Sequence, residues 1–128
     1  MKKMKKLRLH TETVIDSAHF LRNYDGKCRN IHGHGWRIRI WIEGYPDQLD
    51  RTGILFDFGN IKKIKNQYDH ILLNNLKEFK TNNPTAENIT LSIYQYLKKL
   101  NYRLEYFVRV YETSIKKITY CEYGDFKI

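Results

Sequence analysis

The 128-residue chain contains only two cysteines, Cys28 and Cys121, and it lacks an apolar run long enough to cross a bilayer. Two cysteines are too few for a disulfide framework, so we expect free thiols in a reducing compartment. The lysines near the N-terminus are not followed by a hydrophobic stretch, which argues against a signal peptide. We therefore expect a cytoplasmic protein without a membrane partner.

Acidic residues are also scarce, since 14 aspartates and glutamates oppose 23 lysines and arginines and leave a formal net charge of +9. Such a surplus suits an anionic partner. However, the basic segments lack an RNA-stacking motif and a DNA-reading helix signature, so we expect no nucleic-acid partner. Lys62, Lys63 and Lys65 are interpreted as the solvated side of a helix.

No internal repeat or low-complexity linker interrupts the sequence, so residues 1–128 are predicted to form a single domain. Alternating apolar residues predict one strand from about Lys6 to Ile15 and another from Trp36 to Ile42. After a turn from Tyr45 to Gly53, two helical stripes and two further strands follow. The first stripe contains Ile61, Ile64 and Tyr68, and the second contains Ile89, Ile93, Leu97 and Leu100 behind Thr85 as N-cap. The last strands contain Leu104, Tyr106, Val108 and Val110, and then Ile118, Tyr120 and Glu122. The order ββααββ predicts an α+β fold with the helices on one face of an antiparallel sheet.

His32 and His34 are spaced i, i+2 at the start of the second strand. Alternate side chains of a strand share one face, so both imidazoles can reach one metal ion if the strand continues unbroken through the intervening glycines. Their parity matches the apolar residues of the strand, which places them toward the buried face. His19, just beyond the first strand, is the favoured third ligand over His10, expected to be exposed, and His70. Three histidines with an open fourth position are typical of catalytic zinc.

Cys28 allows three interpretations at this stage. It is a small buried hydrophobe, a fourth ligand that closes a structural zinc site, or a thiolate activated by the flanking Lys27 and Arg29. Cys121 is interpreted as a strand packing residue.

Two acidic positions are candidates for chemistry. Asp69 precedes His70 and could orient it for proton transfer, although a histidine at a helix C-terminus is also favoured by the helix dipole. Neighbouring side chains in an extended segment point apart, so this dyad requires a turn. Glu112 continues the parity of the strand from Leu104 to Val110, and it is either solvated or the anchor of a ligand that donates two hydrogen bonds.

Several motifs together resemble the 6-pyruvoyltetrahydropterin synthase and 6-carboxytetrahydropterin synthase family over nearly the whole chain. In chain order, they are Ser17-Ala18-His19-Phe20, Cys28-Arg29-Asn30-Ile31-His32-Gly33-His34, Asp69-His70-Ile71-Leu72-Leu73-Asn74, Asn83-Pro84-Thr85-Ala86-Glu87-Asn88 and Val110-Tyr111-Glu112-Thr113. The resemblance implies a tunnelling fold, in which trimers form a barrel, two trimers stack into a homohexamer, and sites lie between subunits.

The resemblance also implies roles for individual residues. His19, His32 and His34 would hold a catalytic Zn²⁺, Cys28 would accept a proton, and Asp69 with His70 would complete the proton relay. Glu112 would grip the pterin ring, and Thr85 would help to hold it.

The implied substrate is 7,8-dihydroneopterin triphosphate. One branch eliminates triphosphate and retains the three-carbon side chain, and the other also cleaves a carbon–carbon bond to release acetaldehyde in the queuosine route. The chain length and the segment 83–88 favour the second, bacterial 6-carboxytetrahydropterin branch, and Cys28 argues against a third branch that has glutamate there. The competing hypothesis of another class is a non-catalytic basic module whose structural zinc is held by Cys28 and the three histidines.

Overall fold

A four-stranded antiparallel sheet and two helices make up the computed structural model, which describes residues 4–113, 115 and 119–128. The strands are β1 (Leu7–His19), β2 (His32–Gly44), β3 (Glu105–Tyr111) and β4 (Tyr120–Gly124), and they lie in the order β1-β2-β3-β4. The helices α1 (Gly59–Tyr68) and α2 (Ala86–Leu100) lie between β2 and β3 in the chain. The predicted α+β class and ββααββ order are confirmed. Neither described helix has the length and apolar composition of a membrane span.

The core lies between the helices and one face of the sheet. Ile38, Ile40 and Ile42 of β2 are fully buried, and they belong to one cluster with Ile64 of α1 and Ile93 of α2. This arrangement follows from the sequence because a period of two on β2 and a period near 3.6 on each helix give every element one apolar face. Thr85 caps α2, as predicted, by accepting a hydrogen bond from the backbone N–H of Asn88.

The main local difference from the sequence prediction is the length of β1. The strand continues past Ile15 to His19, so His19 lies within the strand and pairs with His32 instead of lying beyond the strand end. The alternating pattern does not indicate this extension, because Ser17 is polar. Groups far along the chain satisfy the hydrogen bonds of the extension: Ser17 donates to the carbonyl of Tyr68, and the Ala18 N–H donates to the carbonyl of Ile71 at 3.0 Å.

Two side chains have an exposure that the helix and strand periodicity does not indicate. Leu100 is the last residue of α2 and is 41% exposed, because the core contacts of the helix end one turn earlier at Leu97. Trp41 lies on the face opposite the helices yet is only 6% exposed, because the guanidinium groups of Arg39 and Arg109 cover its ring. Cys121 is half-buried in β4, and the fourth-strand prediction at Ile118 falls outside the described residues.

Candidate functional site

Three histidines meet at one end of the β1–β2 hairpin. His19 ends β1, and the cross-strand register places it opposite His32, the first residue of β2. Because β2 runs unbroken through Gly33 and Gly35, the rings of His32 and His34 point to the same face. One nitrogen from each ring lies within 4.8 Å of the other two. A single hairpin therefore assembles the whole group.

Backbone carbonyls fix the orientation of two of these rings. Nδ1 of His19 lies 2.7 Å from the carbonyl oxygen of Pro84, and Nδ1 of His32 lies 2.7 Å from that of Asn30. A carbonyl oxygen only accepts, so both Nδ1 atoms carry the proton and both Nε2 atoms carry a lone pair. Histidines that bind metals are held by such contacts at their second nitrogen.

The Nε2 atoms of all three histidines are buried and have no hydrogen-bond partner within the described part of the chain. Buried polar atoms are nearly always paired, so three unpaired ring nitrogens side by side indicate a further ligand. Three imidazole nitrogens are a donor set that suits Zn²⁺, and they leave the fourth tetrahedral position open. The residues present therefore fit the metal that the resemblance implies.

Electrostatics favour the neutral imidazoles that metal binding needs. Burial lowers the pKa of His19 below its ordinary value, although the hydrogen bond to Pro84 opposes this shift. Burial also lowers the pKa of His34. Oε1 of Glu112 lies 3.4 Å from Nε2 of His34, without hydrogen-bond geometry, and its charge partly offsets the effect on His34. Glu112 thus borders the three-histidine group and is only partly solvated.

Trp36 forms part of the wall of this site. Its ring centroid lies 5.0 Å from that of His19 and 5.0 Å from that of His34, and its side chain is fully buried. The alternation along β2 predicts Trp36 only as a core residue. Its position two residues after His34, on the same face of the strand, is the sequence feature that indicates its place in the site.

Cys28 lies in a short 3₁₀ segment, Lys27–Arg29, in the loop that joins β1 to β2. Its carbonyl accepts a hydrogen bond from Leu21 N–H at 2.8 Å, and the side chain is half-buried. Among the described residues, the sulfur of Cys28 is not part of the group of ligand atoms that lie within 4.8 Å of one another. This geometry gives no support to the interpretation of Cys28 as a fourth ligand.

The Asp69–His70 pair has the turn that the dyad requires. His70 adopts a left-handed backbone conformation, with φ of 56°, and its Nδ1 lies 2.8 Å from Oδ2 of Asp69. Asp16 of β1 holds this turn, because its N–H donates to Oδ1 of Asp69 at 2.8 Å and its carbonyl accepts from His70 N–H at 2.7 Å. The hydrogen bond from Asp16 is the largest cause that lowers the pKa of Asp69. The His70 side chain is 77% exposed.

Thr85 and His10 are the remaining residues for which the sequence predicts a role or an exposure. Thr85 follows Pro84, the residue that contacts His19, and its hydroxyl is engaged as the cap of α2. His10 lies in the middle of β1, where it is exposed, as expected, and accepts a hydrogen bond from Arg39. It does not belong to the three-histidine group.

Known proteins resemble this chain over almost its full length. The 6-pyruvoyl tetrahydropterin synthase family model matches residues 8–123. The 6-carboxy-5,6,7,8-tetrahydropterin synthase of Bacillus subtilis is 34% identical in an alignment that covers 90% of this chain and 83% of the relative. The enzyme of the same name from Synechocystis is 31% identical in an alignment that covers 88% of this chain and 91% of the relative.

The fold is also shared with solved structures. The structure of Caenorhabditis elegans 6-pyruvoyl tetrahydropterin synthase superposes with a TM-score of 0.74 at 24% identity, and the match covers 98% of this chain and 99% of that one. The tunnelling fold is therefore confirmed for the individual chain.

Proposed function

The chain belongs to the 6-pyruvoyl tetrahydropterin synthase family, and from this we propose that it is a zinc-dependent lyase that converts 7,8-dihydroneopterin triphosphate and water to 6-carboxy-5,6,7,8-tetrahydropterin, acetaldehyde and triphosphate. The names of the two bacterial relatives support this branch of the family. The observation that carries the proposal is the set of three buried, unpaired Nε2 atoms of His19, His32 and His34.

His19, His32 and His34 would hold the Zn²⁺. When bound, zinc supplies Lewis acidity toward the hydroxyl groups of the substrate side chain and acidifies the adjacent C–H bonds. Pro84 and Asn30 would keep the Nε2 atoms of His19 and His32 directed at the ion through the Nδ1 contacts.

The proton transfers would be carried out by Cys28 and by the Asp69–His70 pair. Cys28, as a thiolate, would accept a proton from a side-chain carbon of the substrate. His70 would exchange further protons with the substrate, and Asp69 would orient its imidazole through the 2.8 Å contact at Nδ1. The hydrogen bond that the Asp16 N–H donates to Asp69 and the one that its carbonyl accepts from His70 N–H fix this dyad to β1.

Glu112 would anchor the pterin ring. A carboxylate can accept from the ring N–H and the amino group of a pterin at the same time, which fixes the ring plane. The 3.4 Å approach of Glu112 to His34 would set the ring beside the metal ligands, so the substrate side chain could reach the open coordination position. Thr85 would contribute to pterin binding beside Pro84.

The proposed assembly is a homohexamer of two stacked trimers, in which three sheets close into a barrel. β1 and β4 are the outer strands of the sheet, so each chain offers one edge at either side for pairing with a neighbour. A site between subunits would also explain why the His70 side chain is 77% exposed in the single chain.

The proposed reaction is tested by incubating the zinc-loaded protein with 7,8-dihydroneopterin triphosphate and analysing the products by mass spectrometry. Acetaldehyde with a carboxypterin supports the proposal. A pyruvoyl product without carbon–carbon cleavage selects the other branch, whose name the family model carries. Absence of turnover by the zinc-loaded protein contradicts an enzyme of either branch.

The two cysteines provide a matched pair of variants for the role of Cys28. Both are half-buried, but only Cys28 lies in the loop that contacts His32. We expect Cys28→Ala to lose turnover and retain zinc, and Cys121→Ala to retain both. Loss of zinc in Cys28→Ala would make the thiol a ligand and would favour the structural-zinc alternative, in which chelation unfolds the protein.

A further inference from the structure

A surface cavity of about 420 Å³ lies in the loop between β1 and β2, and one of its lining residues contacts a histidine of the candidate metal centre. Its lining residues are Asp25, Gly26, Lys27, Arg29 and Asn30. The connection to the centre is direct, because the Asn30 carbonyl accepts the hydrogen bond from Nδ1 of His32. A group bound in this cavity would therefore be held by the same loop that carries Cys28.

The metal centre has two different sides. Glu112, the proposed pterin anchor, approaches His34, whereas the 25–30 loop contacts His32. The proposed substrate has a matching polarity, since its pterin ring and its triphosphate lie at opposite ends of a three-carbon side chain. With the ring at Glu112 and the side-chain hydroxyls at the metal position, the triphosphate would lie at the end of the substrate away from Glu112, and the 25–30 loop, which contacts His32, is the candidate to receive it.

The charges of the loop suit that end of the substrate. Lys27 and Arg29 form no salt bridge within residues 4–113, 115 and 119–128, so their charges are available to a ligand. Two other arginines are engaged within the chain, since Arg22 donates to the Phe79 carbonyl and Arg37 pairs with Glu12. An arginine can contact two phosphate oxygens at once, and a lysine adds a point charge beside it.

We propose that the cavity of the 25–30 loop is the triphosphate subsite, with Lys27 and Arg29 as its anion-binding residues. This inference rests on the proposed function for the identity of the substrate. Asp25 lines the same cavity and carries the opposite charge, so it weakens anion binding there. Neutralising Asp25 should therefore strengthen anion binding, whereas neutralising Lys27 or Arg29 should weaken it.

The test is calorimetric titration of the zinc-loaded protein with inorganic tripolyphosphate. We expect the double variant Lys27→Gln/Arg29→Gln to raise the Kd at least tenfold, because it removes two charge-assisted interactions with the anion. Asp25→Asn is expected to lower the Kd several-fold. The matched control, Lys62→Gln/Lys63→Gln, removes the same charge from the exposed side of α1 and should change the Kd less than twofold.

All variants retain the three histidines, and zinc content is measured after each titration because tripolyphosphate chelates zinc. No binding to the wild-type protein, or equal Kd values for the loop variant and the control variant, would overturn the subsite. Loop-dependent tripolyphosphate binding without turnover would instead contradict the proposed reaction and leave the anion subsite standing. Failure of the anion subsite and failure of the proposed reaction therefore give different results.

Discussion

Replacing Asn74 should destabilise the protein far more than replacing its neighbour Asn75. The Asn74 side chain is only 3% exposed and bonds both main-chain groups of Phe20. Its Oδ1 accepts from Phe20 N–H at 3.0 Å, and its Nδ2 donates to the Phe20 carbonyl at 3.0 Å. These two hydrogen bonds fix the residue that directly follows His19. Asn75 is exposed and is the matched control.

The size of the effect follows from the two hydrogen bonds that the Asn74 side chain makes. Asn74→Ala leaves the Phe20 N–H and carbonyl without their partner, and an unsatisfied polar group that is at least partly buried costs about 1–3 kcal/mol. Because Phe20 is only half-buried, we expect a total decrease of about 2–4 kcal/mol in the free energy of unfolding. For a chain of this size, that decrease corresponds to a fall in Tm of roughly 6–15 °C.

The assay is urea unfolding of metal-free protein, with Asn74→Ala and Asn75→Ala compared at one protein concentration because assembly would otherwise shift the midpoint. We expect Asn75→Ala to remain within about 0.5 kcal/mol of the wild-type protein. Equal stability of the two variants would refute the stabilising role of the two hydrogen bonds between Asn74 and Phe20.

Three further predictions concern the core, a helix cap and the acid limb of stability. Ile38→Ala should lower the free energy of unfolding by about 2–5 kcal/mol, while Val14→Ala on the neighbouring strand should cost under about 1 kcal/mol; urea midpoints compare them. Thr85→Ala should cost about 1 kcal/mol through the missing cap of α2, and unchanged thermal unfolding would contradict that role. The Asp16 N–H lowers the pKa of Asp69 in the fold, so this carboxylate contributes fully to the free energy of unfolding above its unfolded pKa of about 4. The contribution is lost as the pH falls through the lower pKa of the folded state. Asp69→Asn should flatten this loss in urea unfolding of metal-free protein, and an unchanged acid limb would argue against it.

The part of the site that follows one strand could be predicted from the sequence. His32 and His34 share the parity of Trp36. Their side chains lie on the same face as Trp36 because β2 has no bulge at Gly33 or Gly35. The turn at His70 could also be predicted, since an aspartate and the next histidine can meet only if the backbone leaves the extended conformation.

The remaining parts depend on contacts between residues far apart in the chain. The alternating pattern of β1 ends at Ile15, because Ser17 is polar and its partner, the Tyr68 carbonyl, comes from the end of α1. The carbonyl that orients His19 belongs to Pro84, 65 residues later. Local periodicity contains no information about such partners, so the position of His19 within β1 and the orientation of its ring emerge only from the fold.

The central claim is an open zinc site made by His19, His32 and His34, and X-ray absorption at the zinc edge tests it most directly. An open site predicts one zinc per chain, three nitrogen ligands at about 2.0–2.1 Å, and no sulfur neighbour. The spectrum should be the same for Cys28→Ala. A sulfur shell at about 2.3 Å that disappears in this variant would show a closed site with Cys28 as ligand and would contradict the open zinc site.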